Sequence, residues 1–266
     1  MMKRWSALSA VLVVAAYSTP SLSQVRPAVV KPAAAAARIP AAHATTAAPI
    51  KVACIGNSIT VGYGQPPADW PTKSYPAVLG QKLGSAYIVQ NFGVSGTTLL
   101  KNGNLPYWNR SELAASAAWK PDIVVIALGT NDAKPVNVAH YGDFLADYVA
   151  MIQYYDTLSS HPRVFVSLPP TLYVDSVAKP NYPTEQHLAT DLLPKIRAAA
   201  VQRHAVVIDV HAATAGHAAM FADGVHPNAA GANIIAKTVY AAIHAAQLVY
   251  VRDHAVPVGG RPPGLR

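Results

Sequence analysis

The stretch Ile123-Val124-Val125-Ile126-Ala127-Leu128-Gly129-Thr130-Asn131-Asp132 decides the fold. Six apolar residues, mostly β-branched, run without a polar interruption and stop at a glycine. A strand buried on both faces has this composition, and one with a solvated face would alternate instead. Four more runs resemble it, at Val52–Ile55, Tyr87–Val89, Val164–Leu168 and Val206–Val210. Between and after them lie stretches with helical spacing: Tyr75–Leu83, Ser111–Trp119, Tyr141–Leu158, Glu185–His204 and Asn228–Ala246. Strand–helix alternation five times over predicts an α/β fold, a doubly wound, flavodoxin-like, five-stranded parallel sheet with helices on both faces. In such a sheet the reactive residues belong on loops beyond the carboxyl ends of the strands.

Outside this alternating region the chain reads differently. Met1-Met2-Lys3-Arg4 and the apolar run to Ala16, with Ser21 and Ser23 at small-residue positions, predict a signal peptide over residues 1–23, cleaved before Gln24. The apolar run is shorter than the roughly 17–25 residues of a membrane span, so no stable span is expected. An uncleaved anchor is the alternative. Residues 24–49, almost all Ala, Pro, Val and Thr, predict a linker. The folded domain is expected over 50–250, and a disordered tail over 251–266. The location expected for the mature protein is the periplasm or the extracellular space.

The formal net charge of +8 hints at an anionic partner until it is located. Five basic residues and no acid precede Lys51, and Arg252, Arg261 and Arg266 stand against Asp253 after Tyr250. Residues 50–250 are therefore close to neutral, without the basic footprint of a nucleic-acid-binding surface. The lone cysteine, Cys54, sits in an apolar run and reads as a buried, inert thiol.

Four segments can carry chemistry. Gly56-Asn57-Ser58-Ile59-Thr60 follows the first strand, where a glycine allows a sharp turn that presents the serine at the open end of the sheet. Asn91–Thr97 follows the second and contains Gly96, whose backbone N–H can face a developing oxyanion. Gly129-Thr130-Asn131-Asp132 follows the third, and the Asn131 amide has two N–H donors. Asp223-Gly224-Val225-His226-Pro227-Asn228 precedes the last helix. An Asp three residues ahead of a His can accept the imidazole Nδ1–H, leaving Nε2 free to take a proton from a serine. Turn chemistry or helix capping explains each segment alone. In this order they supply a nucleophile, an oxyanion hole and a base with its orienting acid. His211 and His217 near Asp209 lack an evident third ligand for a metal site.

With these blocks the chain resembles the SGNH (GDSL-like) hydrolase superfamily over nearly all of residues 50–248. The resemblance implies Ser58 as nucleophile, His226 as base and Asp223 as its orienting acid. It implies an oxyanion hole from the Ser58 and Gly96 N–H groups and the Asn131 side chain, with no metal and no cofactor. Where the family usually has Asp before the serine this chain has Asn57, which keeps an acceptor and removes a charge. The α/β-hydrolase elbow Gly-x-Ser-x-Gly is absent from the sequence. Leu105-Pro106-Tyr107-Trp108 and Gly129-Thr130-Asn131-Asp132-Ala133-Lys134-Pro135 further resemble the sialate O-acetylesterase-like carbohydrate esterase branch. That implies an acetylesterase acting on a small-molecule or glycan ester. Tyr63, Trp70, Tyr107 and Trp108 are candidates for stacking on sugar rings, local packing being the alternative for each. Three other readings stay open: a lipid-directed lysophospholipase or thioesterase of the same fold, a non-catalytic glycan-binding module, and a flavodoxin-like phosphate or flavin binder.

Overall fold

The structure, a computed structural model, describes residues 48–254, and side chains only as far as residue 247. The expected signal peptide, nearly all of the linker and the end of the tail lie outside the described residues. Five parallel strands form one sheet: β1 (Ile50–Gly56), β2 (Tyr87–Gly93), β3 (Ile123–Ala127), β4 (Arg163–Ser167) and β5 (Val206–Ile208). Their order is β2-β1-β3-β4-β5, so this is the doubly wound α/β sheet expected. The chain reverses its direction of winding between β1 and β3. A crevice opens there beyond the carboxyl ends, where doubly wound sheets hold their ligands.

Alternate residues of the central strands face opposite layers, as the period of two requires. Val52 and Cys54 of β1, Ile123 and Val125 of β3, and Phe165 of β4 pack with Tyr75 and Leu79 of α3 (Tyr75–Leu83) and with Ile235, Ala236, Val239 and Ile243 of α9 (Ala229–His254). Ala53, Ile55, Val124, Ile126, Val164 and Val166 face the other way. They meet Leu113 of α4 (Ser111–Ala118), Phe144, Tyr148, Met151 and Ile152 of α5 (Phe144–Asp156), and Ile196 and Ala199 of α7 (Leu193–Gln202). Short helices complete the chain: α1 (Ser58–Val61), α2 (Trp70–Lys73), α6 (Glu185–His187) and α8 (Val210–Thr214). Burial pushes the Cys54 thiol up to about 12, with a Tyr75 hydrogen bond opposing it, which keeps it unreactive.

Several details differ from the sequence expectation, three of them with a bearing on the site or the domain's extent. Val210 begins α8 rather than ending β5, because Asp209 caps the Ala212 N–H at 2.9 Å. Leu188–Leu192 is a π-helical turn between α6 and α7. The last helix runs to His254, four residues beyond the 250 boundary. Among the described residues, no helix is long and apolar enough to cross a membrane.

Candidate active site

Ser58 is the first residue of α1, directly beyond the end of β1. Asn57 caps that helix, its Oδ1 accepting the Ile59 N–H at 3.0 Å. The capping oxygen is thus present without the charge an Asp would bring into a buried position. Gly56 serves by close approach rather than by an unusual φ. A Cβ there would lie 2.0 Å from Thr60 Oγ1 and 3.0 Å from the Ala127 carbonyl.

Ser58 Oγ lies 2.8 Å from His226 Nε2, and His226 Nδ1 lies 2.6 Å from Asp223 Oδ2. Asp223 reaches back over three residues because its other oxygen, Oδ1, accepts the N–H groups of Val225 (2.9 Å) and His226 (2.8 Å). Partial burial opposes ionisation of this carboxyl. The two N–H groups and the imidazole outweigh it and hold Asp223 below the usual carboxylate range. Asn228 Oδ1 accepts from Ala230 and Gly231 and starts α9. Asp223, His226 and the helix cap therefore sit within six residues.

Gly96 and Asn131 line the same cleft of about 410 Å³ as Ser58 and His226. Gly96 has φ +82°, a conformation only glycine adopts readily. Among the described residues, no protein acceptor takes the Ser58 or Gly96 N–H. Asn131, 7% exposed, donates one Nδ2 hydrogen to the Thr97 carbonyl at 3.0 Å, which leaves its second hydrogen free to turn into the cleft. Asp132, next to it, faces away and accepts the Leu99 and Leu100 N–H groups at 3.0 and 2.8 Å.

The four aromatic candidates separate. Tyr63 lines the cleft, with its ring centroid 5.5 Å from that of His226. Trp70 stands behind it, 5.2 Å from the Tyr63 ring, lines a neighbouring cleft instead and donates to the Gln65 carbonyl. Tyr107 is 0% exposed and donates its hydroxyl to the Phe92 carbonyl at 2.7 Å. It cannot stack on a sugar. Trp108 does not line the cleft either: its Nε1–H goes to the Leu99 carbonyl and its ring packs edge-on against Tyr154. Both lie along a loop that closes on itself, the Thr98 N–H donating to the Leu105 carbonyl and the Tyr107 N–H to the Thr98 carbonyl, each at 2.9 Å.

Sequence reasoning missed Lys134, Asn181, Tyr182 and Pro183, which also line the cleft. Lys134 belongs to the block quoted above. The other three come from residues 168–184, which hold neither helix nor strand. An irregular segment of that length in a compact domain is itself a functional signal. It also missed a second histidine–carboxylate pair, His211 Nε2 to Glu185 Oε1 at 2.7 Å. The other Glu185 oxygen accepts the Leu172 N–H, so this pair ties α8 to the start of that segment.

A family model described as GDSL-like lipase/acylhydrolase matches residues 54–234. The acetylxylan esterase of Xylanibacter ruminicola is 36% identical over 214 residues, covering 73% of this chain and 43% of that protein. The chain thus spans less than half the length of that curated relative. The lipase/acylhydrolase from Enterococcus faecalis superposes with a TM-score of 0.57 at 25% identity, over 74% of this chain and 96% of that one. A putative arylesterase from Agrobacterium tumefaciens gives 0.59 at 22% identity, over 74% and 99%. A carbohydrate acetylesterase family member from Sinorhizobium meliloti gives 0.56 at 21%, over 74% and 98%. The latter two are similar in fold.

Proposed function

The chain belongs to the GDSL-like lipase/acylhydrolase family, and on that premise we propose that it is a serine esterase removing acetyl groups from carbohydrate esters. The observation that carries this reading is the line from Ser58 Oγ through His226 to Asp223, with contacts of 2.8 and 2.6 Å, opening on the cleft shared by Gly96 and Asn131. Ser58 Oγ attacks the acetyl carbonyl carbon while its proton passes to His226 Nε2. The oxyanion takes hydrogen bonds from the Ser58 and Gly96 N–H groups and the second Asn131 Nδ2 hydrogen. Collapse breaks the bond to the sugar oxygen, which leaves with the proton from His226. Water then repeats the sequence on the acetyl-enzyme, releasing acetate and restoring the Ser58 hydroxyl. Asp223 stays ionised throughout and balances the positive charge that His226 carries between these transfers.

The acetyl and sugar preference is supported by the acetylxylan esterase relative and by the cleft's polar lining of Ser95, Asn131, Lys134 and Asn181. Tyr63, exposed beside His226, is among the cleft aromatics that support a sugar ring as the alcohol portion. Export belongs to the same reading and rests on residues 1–23 alone. Its test is whether the secreted protein begins at Gln24.

The deciding experiment is hydrolysis of p-nitrophenyl acetate and of acetylated xylo-oligosaccharide by the wild type and folded Ser58→Ala. Turnover should fall by on the order of 10⁴ or more in the variant. Equal turnover in both proteins would sink the reading, and a preference for long acyl chains would move it to a lipid-directed esterase.

A further inference from the structure

Residues 168–184 form a strap between β4 and α6 that touches the Ser58 cleft at one end and the Asp223–His226 loop along its length. Tyr173 N–H donates to the Gly224 carbonyl at 2.8 Å, and Lys179 Nζ donates to the Asp223 carbonyl at 2.7 Å. Asn181, Tyr182 and Pro183 line the cleft. Lys179 Nζ also stands 5.0 Å from the Tyr182 ring centroid, and Tyr182 N–H donates to the Lys179 carbonyl at 3.1 Å. Among the described residues this ammonium makes no ion pair with a carboxylate. Its charge goes to a peptide carbonyl and an aromatic face.

We propose that Lys179 is a positioning residue that couples the seating of the substrate's alcohol portion against Tyr182 to the alignment of the Asp223–His226 pair. The proposal rests on the esterase reading and names what that reading leaves out. The Asp223 carboxylate is held by the N–H groups of Val225 and His226, which belong to its own loop. Those bonds fix the shape of the loop but not its place over Ser58. Lys179 supplies an external hold, a charge-assisted hydrogen bond to the peptide unit that bears the acid. Because the same ammonium rests on the Tyr182 ring, pressure on that ring from a bulky sugar is transmitted to Asp223. A small ester that does not reach Tyr182 draws only on the resting hold, which the Tyr173 N–H bond to the Gly224 carbonyl shares.

The test uses the full chain with Lys179→Met, which keeps the aliphatic stem, and Lys179→Arg, which keeps a donor and a cation. Lys179→Met should lower kcat by about 10-fold on acetylated xylotriose and by less than about threefold on p-nitrophenyl acetate, with KM for the small ester unchanged. Lys179→Arg should recover to within about threefold of wild type on both. In the Ser58→Ala background, which has no turnover, the low-field Nδ1–H proton resonance of His226 should shift or broaden with Lys179→Met and return with Lys179→Arg. Tyr182→Leu should reproduce the ester-selective loss, a second route if Lys179→Met does not fold. Equal losses on the two esters, or Met and Arg variants that behave alike, would overturn the proposal. Should wild type hydrolyse neither ester, the esterase reading fails by itself. The resonance then decides: a signal unmoved by Lys179→Met overturns the positioning role, and a shifted one upholds it.

Discussion

The four motif loops and the strap of residues 168–184 border one cleft and are built in opposite ways. The loops are short; three follow directly on strand ends, and the fourth, residues 223–228, runs into the start of α9. Ser58, 8% exposed, heads a helix capped by Asn57, and Asn131, 7% exposed, is tied to the Thr97 carbonyl. The strap is irregular and exposed, with Val177 at 91% and Tyr182 at 40%, and it meets the loops through single donors such as Tyr173 N–H and Lys179 Nζ. Proton transfer tolerates little error in distance, and the groups proposed to perform it are held by short local bonds, Ser58 at the end of β1 and His226 by Asp223 three residues before it. Groups that meet a substrate can sit on a surface that yields. The comparison teaches that rigidity and sequence signature go together here, because a demand for particular atoms at fixed spacing produces both.

The largest effect that sharpens this comparison lies within the rigid half. Asp223→Asn keeps the size of the side chain and the Oδ1 acceptor for Val225 and His226. It puts an amide NH₂ where the carboxylate oxygen meets Nδ1. The imidazole must then offer Nδ1 as acceptor and carry its proton on Nε2, facing Ser58, where it cannot accept one. Turnover should fall by on the order of 10³–10⁴ with Tm nearly unchanged. A loss below about tenfold would mean that the 2.6 Å contact does not select the tautomer.

The next effect concerns stability. Asp132 neighbours Asn131 in the same block, yet it is wholly buried and ties Leu99 and Leu100 to the end of β3. Burial raises its carboxyl from an ordinary 3.8 to about 6, although the two N–H groups pull the other way. The raised value means that the folded state binds the proton more tightly than the unfolded chain does. Stability from this group is therefore full below about pH 4 and falls as pH rises towards 6. The decline is on the order of 3 kcal/mol. Denaturation measured at pH 4, 5, 6 and 7 should show that component in the wild type and its absence in Asp132→Asn. Parallel pH curves would refute it.

Asp132 also marks how far the sequence could be read. Strand composition made the sheet legible, since Ile123–Leu128 has few other homes, and Asp223 three residues before His226 was legible because the carboxylate–imidazole contact is local. Within Gly129–Asp132, however, the amide donors and the resemblance single out Asn131, but nothing in the sequence shows that Asp132 beside it faces the core. That division is made by Leu99 and Leu100, more than thirty residues away. Tyr107 and Trp108 misled for the same reason. An aromatic pair beside proline and asparagine resembles an exposed platform, but the carbonyls of Phe92 and Leu99 draw both polar tips inward. The strap left no motif because Tyr173 acts through its backbone and Lys179 through one ammonium. Only its length, without helix or strand, was available as a signal.

The smallest expected effect lies where the two regions meet. Lys134 follows the Asn131 block and lines the cleft beside Asn181 and Tyr182 of the strap. Burial lowers its pKa despite the nearby charge of Asp132, and among the described residues no acceptor or carboxylate pairs with its ammonium. A half-buried cation without a partner weakens the fold, so its presence is explained by what enters the cleft rather than by packing. Lys134→Met keeps the stem and removes the charge. It should raise Tm by about 1–3 °C while raising KM for acetylated oligosaccharide about threefold, with kcat on p-nitrophenyl acetate unchanged. A lower Tm would mean that the ammonium is tied into the protein. An unchanged KM would assign the site's sugar contacts to Tyr63, Asn181 and Tyr182 alone, and the boundary between rigid chemistry and yielding recognition would then fall after Asn131.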